Sequence, residues 1–189
     1  MGKRSAHPTD GPCFGQRELY QLDAAVHLAA DLVSEEFQLD FGDFRQWPVD
    51  VRHYPQLSEE EKRTDVLAQL FRYVKQNSLP RGGGRDFWRV CLYDPVILAT
   101  KDRENFTLKP LLLYVITHEF IHISRFVRFM ELFTPDLKSR QREEDIVHEL
   151  TEKLLFKQPI ENLSPVLEYF KACRYALDGA VTNLETRSD

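Results

Sequence analysis

The stretch Tyr114–Phe126, YVITHEFIHISRF, carries two histidines four residues apart, with a glutamate directly after the first. Its apolar residues recur at helical spacing, and a helix turns by about 100° per residue. His118 and His122 therefore lie one turn apart on one face of a predicted helix, where their imidazoles can hold one ion. Glu119 is rotated off that face, near enough to take a proton from a water on the ion.

The composition of this helix favours a metal site over a chance occurrence of His, Glu and His. Leucine, isoleucine, valine and phenylalanine surround the three polar residues, so the helix is predicted to be buried. Burying two histidines and a glutamate without partners is costly, and a bound ion removes that cost. A helix without a metal is the competing interpretation, because so short a pattern also occurs by chance.

The chain over 87–122, read as strand, loop and helix, resembles the active-site core of the zincin metallopeptidases. The likeness covers about a fifth of the sequence. It implies one Zn²⁺ per chain, with His118 and His122 as ligands and Glu119 as the general base of peptide hydrolysis. It also implies an edge strand beside the substrate, a role that falls on Trp88–Tyr93.

The third ligand is sought in the predicted helix that follows. Metzincins continue their motif with a glycine and a third histidine, and this chain has Arg125 and Arg128 at those positions. The resemblance is therefore to gluzincins, which take a glutamate from a later helix, or to a minimal zincin. The following helix offers His148 and Glu144 on one stripe, and Glu143 within its apolar arc. Helical periodicity leaves the choice among these three open.

Two other functions use the same residues. A zincin-like core without turnover would be a metal-binding scaffold or regulator. The pairs Glu119-x-x-His122 and Asp145-x-x-His148 are also similar to those of the dinuclear iron carboxylate bundles. That kind of site also needs a glutamate from each of two other helices; Glu18, Glu35 or Glu36 could supply one, and no equally clear second appears. In those bundles another core helix normally separates the two E-x-x-H helices, which are adjacent here, so this interpretation ranks behind the zinc site.

Four other side chains have both a catalytic and a structural interpretation. Arg125 could bind a substrate anion, but we expect it to pair with an acidic residue of the following helix. Tyr93 and Tyr114 could stabilise an oxyanion, but buried tyrosines commonly have structural partners. Cys13 could reach the metal as an inhibitory thiolate, which the sequence does not test.

Composition and charge limit the function classes. Of the 189 residues, 42% are hydrophobic and 29% charged, which is typical of a globular domain and not of a disordered chain. The net charge of −5 argues against nucleic acid and anionic membrane surfaces as partners. Three cysteines and no export signal indicate reduced thiols and a cytoplasmic location. We expect a peptide or protein substrate; the sequence names none and leaves the oligomeric state open.

The organisation of the chain follows from its apolar periodicity and its turn signals. We predict a flexible tail over 1–13 and a single zincin-like domain over 14–189. The fold class is α+β and mostly helical, with a small sheet before the motif helix and an antiparallel helix after it. Ser58 and Glu61 have the spacing of a helix capping box. Helices are predicted over 15–37, 58–77, 110–133, 136–156 and 164–177, strands over 87–92 and 95–99, and irregular chain over 38–57.

Overall fold

The computed structural model describes residues 11–39, 49–74, 86–128, 137–173 and 186–188. It confirms the α+β class and the mostly helical content. The described helices are α1 (Gln16–Phe37), α2 (Asp94–Arg103), α3 (Leu108–Val127), α4 (Leu137–Phe156) and α5 (Ser164–Cys173). The described strands are β1 (Val49–His53), β2 (Ala68–Val74), β3 (Asp86–Leu92) and β4 (Thr186–Ser188). Within these ranges no helix is both long and apolar enough to cross a bilayer.

Four of the five predicted helices are confirmed where the structure describes them. They correspond to α1, α3, α4 and α5, and the predicted strand over 87–92 corresponds to β3. The ends predicted for two of these helices, at 133 and 177, lie outside the described residues. Residues 1–10 of the predicted tail also lie outside the described residues.

The strands form one sheet in the order β1-β3-β2-β4. Strand β3 pairs in parallel with β1 and antiparallel with β2, so Val90 lies beside Val51 on one side and Leu70 on the other. The expectation that Trp88–Tyr93 supplies an edge strand is therefore wrong. A strand with two neighbours already uses its backbone N–H and C=O groups in the two ladders, and a substrate cannot pair with it.

The predicted helix over 58–77 is wrong across 58–74, the part that the structure describes, although its capping signal does form a local structure. The backbone N–H of Ser58 donates to Oε2 of Glu61 at 2.9 Å, and the N–H of Glu61 donates to the carbonyl of Ser58 at 3.0 Å. The chain then enters β2, where Leu70 packs into one apolar cluster and Phe71 into another. Because both faces of β2 are buried, apolar residues occur at adjacent positions instead of alternating, and together with Val66, Leu67 and Val74 they match the spacing of an amphipathic helix.

The predicted strand over 95–99 is also wrong, because these residues belong to α2. Pro95 lies in the first turn of that helix, where its missing N–H costs no hydrogen bond. The stretch 38–57, expected to be irregular, contains β1 and a short 3₁₀ turn at Tyr54–Gln56. Strand β1 has only five residues, and pairing with β3 supplies the order that so short a segment lacks by itself.

Asp94, at the start of α2, joins three segments of the chain. Its buried carboxylate accepts the backbone N–H groups of Phe14 and Tyr54, each at 3.0 Å. The same carboxylate lies 3.0 Å from Nδ1 of His53, at the end of β1. These bonds hold the residues before α1 and the end of β1 against α2.

Helix α3 forms the centre of the core, in contact with α1, α2, α4, α5 and the sheet. Three consecutive leucines, Leu111 to Leu113, are each 0% exposed, as are Ile116 and Ile121. Consecutive residues on a helix point in different directions, so α3 is buried on all sides. Burial of each such side chain contributes roughly 1.5–3 kcal/mol. His118, Glu119 and His122, which form the HExxH motif, are polar residues that this apolar helix carries into the interior.

Glu61, in the turn that begins at Ser58, is the centre of a second cluster of buried polar side chains and is itself 2% exposed. The carboxylate accepts a hydrogen bond from the Tyr73 hydroxyl and one from Nη1 of Arg89 at 2.9 Å. Nε of Arg89 in turn donates to Asp50 at 3.0 Å. Burial alone would raise the pKa of Glu61, but the hydrogen bonds from Tyr73, Ser58 and Arg89 lower it to about 2.

Replacing Glu61 with glutamine is expected to destabilise the fold by roughly 2 kcal/mol at neutral pH, since bonds to a charged acceptor are lost. The pKa of this carboxyl is lowered in the folded chain from 4.5 to about 2. Its contribution is therefore complete above pH 4.5 and is lost as the pH falls through about 2. Urea unfolding across this range should show the difference between wild type and Glu61→Gln shrinking toward acid. The control is Glu59→Gln, since the side chain of Glu59 is 86% exposed. A loss of stability in Glu61→Gln that is equal at all pH values would contradict the lowered pKa of Glu61.

Candidate metal centre

The candidate site lies between α3 and α4, which run antiparallel as predicted. Tyr114, early in α3, meets His148, late in α4, at 2.7 Å. Arg125, near the end of α3, meets Glu143, early in α4, at 2.9 Å. The later of the two residues in α3 thus contacts the earlier of the two in α4, as in an antiparallel pair. This arrangement places the HExxH motif opposite the stripe of α4 that carries Glu144 and His148.

Three of the predicted ligands form a compact set of donor atoms. Nε2 of His118 lies 3.2 Å from Nε2 of His122 and 3.3 Å from Oε2 of Glu144. Nε2 of His122 lies 3.4 Å from Oε1 of Glu144. Zinc binds nitrogen and carboxylate oxygen at about 2.0–2.2 Å, so neighbouring donors of a tetrahedral site are about 3.3–3.5 Å apart. Each of the three contacts has a length near this range, and the two histidines meet different oxygens of Glu144.

His148 lies beside this set as a further donor. One donor atom each from His118, Glu144 and His148 lies within 4.8 Å of the others, a group that could hold a metal ion. The ring centroids of His118 and His148 are 4.5 Å apart. His118 and Glu144 are thus common to both sets of donors; His122 completes the first set and His148 the second.

Glu143, the third candidate on α4, is engaged elsewhere. Nη2 of Arg125 donates to its Oε2 at 2.9 Å, and Nε of Arg125 donates to its other oxygen. This confirms the prediction that Arg125 pairs with an acidic residue of the following helix. The ion pair explains how Glu143 can lie in the apolar arc of α4 with only 8% exposure. It also leaves Glu144 as the carboxylate directed at the histidines.

The charge of Glu144 is stabilised by the two histidines of the motif. Burial alone would raise its pKa, but His122 and His118 lower it more strongly through charge interaction and hydrogen bonding. The pKa therefore lies well below its ordinary value, and the group is a carboxylate at neutral pH. An ionised carboxylate beside two imidazoles is the donor chemistry that Zn²⁺ takes in proteins.

Glu119 has a different environment on the same helix. It is 4% exposed, and burial raises its pKa; His118 and His122 offset part of that rise, while Glu144 adds to it. Among the described residues, neither Oε2 of Glu119 nor Nδ1 of His118 has a hydrogen-bond partner. A buried carboxylate oxygen without a partner is costly, so a bound water or substrate group is the expected occupant.

Other candidate residues lie apart from the site. Asp145, Glu35 and Glu36 are exposed, which disfavours the carboxylate cage of a dinuclear centre. The hydroxyl of Tyr93 donates to the carbonyl of Glu61 at 2.7 Å and serves the sheet network. Cys13 is exposed and lies outside the metal-holding group found in the described part of the chain.

One functional contact was missed at the sequence level. Tyr114 was interpreted as a structural residue or an oxyanion ligand, and the structure pairs it with His148. A sequence signal existed, because Tyr114 lies four residues before His118 on the same face of α3. Phe170 of α5 stacks on the Tyr114 ring, and its place in the site depends on the packing of α5.

Comparison with protein-family models, with curated proteins and with solved structures found no significant match. The assignment of a function therefore depends on the residues of the site.

The two adjacent glutamates of α4 are expected to respond differently to the same substitution. Glu144→Gln removes a ligand and should weaken zinc binding by more than the roughly 100-fold seen when an outer partner is lost. Glu143→Gln should leave zinc affinity within a factor of a few, but destabilise the fold by about 3 kcal/mol because Arg125 loses its buried partner. Competition with a chromophoric chelator measures the affinity, and urea unfolding measures the stability. Equal losses of zinc affinity in the two variants would contradict the assignment of Glu144 as the ligand.

Proposed function

We propose that this chain is a zincin-like, zinc-dependent hydrolase that acts on peptide bonds. The observation that carries the proposal is the donor set of His118, His122 and Glu144, with spacings of 3.2–3.4 Å, beside the buried carboxylate of Glu119. Two imidazoles and one carboxylate are the ligands of several catalytic zinc sites, which keep a further position for water. Hydrolytic chemistry is supported by this site, and the peptide class by the resemblance of the motif and its approach.

Each residue of the site has a distinct role in the proposed reaction. A zinc ion held there would supply a Lewis acid and lower the pKa of a water toward about 7. His118 and His122 would hold the ion through Nε2, and Glu144 would offset part of its charge. Glu119 accepts the proton of the attacking water at its free oxygen and returns a proton to the leaving amine nitrogen. Water becomes part of the new carboxyl group, and the amine leaves protonated.

The low dielectric around α3 strengthens these roles. The side chains of His118 and His122 are only 10% and 4% exposed, so little bulk water screens their interaction with Glu144. Because β3 is an interior strand, the substrate would be bound by side chains and loops of the site and not by pairing with β3. The proposal includes a cytoplasmic location, which the sparse and odd set of three cysteines favours.

A second candidate function is a metal-binding scaffold or regulator without turnover. It is favoured by His148, which offers a fourth protein donor, and by the low exposure of the three histidines, between 3% and 9%. A site closed by four protein ligands is structural, whereas a site with an open position is catalytic. The two functions differ in whether a water can reach the ion.

Glu119→Gln is expected to retain zinc and to lose peptide hydrolysis. The amide keeps the size of the side chain but cannot accept the proton of the water, and loss of a general base typically costs about 10²–10⁴-fold in rate. The substrate would be a mixed-sequence peptide library, with new amino termini identified by mass spectrometry. The matched control is Glu149→Gln, an exposed glutamate of α4, which should behave as wild type.

Two results would count against the proposed hydrolase. Hydrolysis by zinc-loaded Glu119→Gln at the wild-type rate would remove Glu119 as the base. Zinc-loaded wild type that cleaves no member of the library would favour the scaffold.

A further inference from the structure

We propose that Tyr114 is a positioning residue of the metal site. It fixes the ring of His148 as a fourth donor to the ion and so sets the metal affinity. The inference rests on the proposed metal site and deepens it, since it concerns how tightly the ion is held. It does not depend on whether the site hydrolyses peptides.

The contact between Tyr114 and His148 has the geometry of a strong hydrogen bond in a dry environment. The Tyr114 hydroxyl lies 2.7 Å from Nδ1 of His148, and the two residues are 3% and 9% exposed. A histidine that binds a metal through Nε2 carries its proton on Nδ1 and donates it to a neighbouring acceptor. The phenolic oxygen of Tyr114 is such an acceptor. A phenolic hydroxyl can donate or accept, so the contact itself fits either tautomer; when an ion takes Nε2, the Nδ1 proton is donated to Tyr114 and this bond holds the ring in place.

Tyr114 is itself held in place by the last described helix. Its ring stacks face to face on Phe170 of α5, with centroids 4.0 Å apart and planes 3° from parallel. The ring of His148 also lies 6.3 Å from Phe170. Three helices thus meet at one aromatic stack, and a stacked phenol cannot turn its hydroxyl away from His148 without losing that packing.

His148 lies close enough to the other donors to offer a fourth contact. One donor atom each from His118, Glu144 and His148 lies within 4.8 Å of the others. With four protein donors, a water reaches the ion only if the site expands to five ligands, as some catalytic zinc sites do. The inference therefore concerns how tightly the ion is held, whichever of the two functions the site serves.

The test measures zinc affinity in wild type, Tyr114→Phe, His148→Ala and the double variant, by competition with a chromophoric chelator. Phenylalanine keeps the stack on Phe170 and removes only the acceptor of the Nδ1 proton. Tyr114→Phe should bind zinc about 10–100-fold more weakly, the range for loss of an outer partner of a ligand. The matched control is Tyr169→Phe, since this hydroxyl accepts from Nη2 of Arg103 at 3.1 Å, away from the site.

The double variant distinguishes a role in metal binding from a general effect on the fold. If Tyr114 acts through His148, the double variant should bind zinc with the same affinity as His148→Ala alone, because the hydroxyl then has no histidine to position. The absorption bands of bound Co²⁺ should also change in Tyr114→Phe and stay unchanged in Tyr169→Phe, because they report the ligand field directly. Should Tyr114→Phe fail to fold, His148→Ala alone tests the fourth donor, and wild-type zinc affinity in that variant would overturn the proposal.

The remaining outcomes separate this inference from the proposed function. Wild-type affinity in Tyr114→Phe, or losses that add in full with His148→Ala, would overturn the positioning role and leave the hydrolase intact. Zinc affinity that depends on Tyr114 in a protein that cleaves no peptide would support the positioning role and count against the hydrolase. A folded wild type that binds no zinc would overturn both.

Discussion

The burial of α3 over residues 110–124 is the constraint on which the rest of the structure depends. Apolar side chains lie on all sides of this stretch, yet it takes two histidines and a glutamate into the interior with it, at 3–8% exposure. Buried polar groups need partners, and Glu144 of α4 supplies one for each of the two histidines. The antiparallel packing of α3 and α4 therefore serves the stability of the core and the assembly of the site together. It sets Glu144 and His148 opposite His118 and His122, and Phe170 of α5 stacks on the ring of Tyr114.

Two adjacent carboxylates of α4 have different roles because a helix turns by about 100° per residue. The carboxylate of Glu143 pairs with the guanidinium of Arg125, so their opposite charges cancel. Glu144 meets two imidazoles, which carry no full charge when they bind a metal. Without an ion, the two imidazoles compensate the charge of Glu144 and lower its pKa, whereas the buried carboxylate of Glu119 is poorly compensated and its pKa is raised. A divalent cation balances both carboxylates, so the charge of the site and the spacing of its donors favour the same occupant.

Local sequence predicted the candidate metal ligands better than it predicted the strands and the helix packing around them. His118 and His122 follow from helical spacing, and Glu144 and His148 from a second stripe. The choice between Glu143 and Glu144 could not be made, because it depends on how α4 is rotated about its axis by packing. Strand β2 was mistaken for a helix because both its faces are buried, with Leu70 and Phe71 in different clusters. In each case the deciding interaction lies between residues distant in the sequence.

The central claim is that one metal ion is held between α3 and α4 by residues of both helices. Crystals grown with zinc, with diffraction measured on either side of the zinc absorption edge, test it most directly. We expect one anomalous peak per chain, about 2.0–2.2 Å from Nε2 of His118, Nε2 of His122 and a carboxylate oxygen of Glu144. The absence of a peak there in a folded, zinc-soaked protein, or a pair of peaks bridged by carboxylates, would contradict the account.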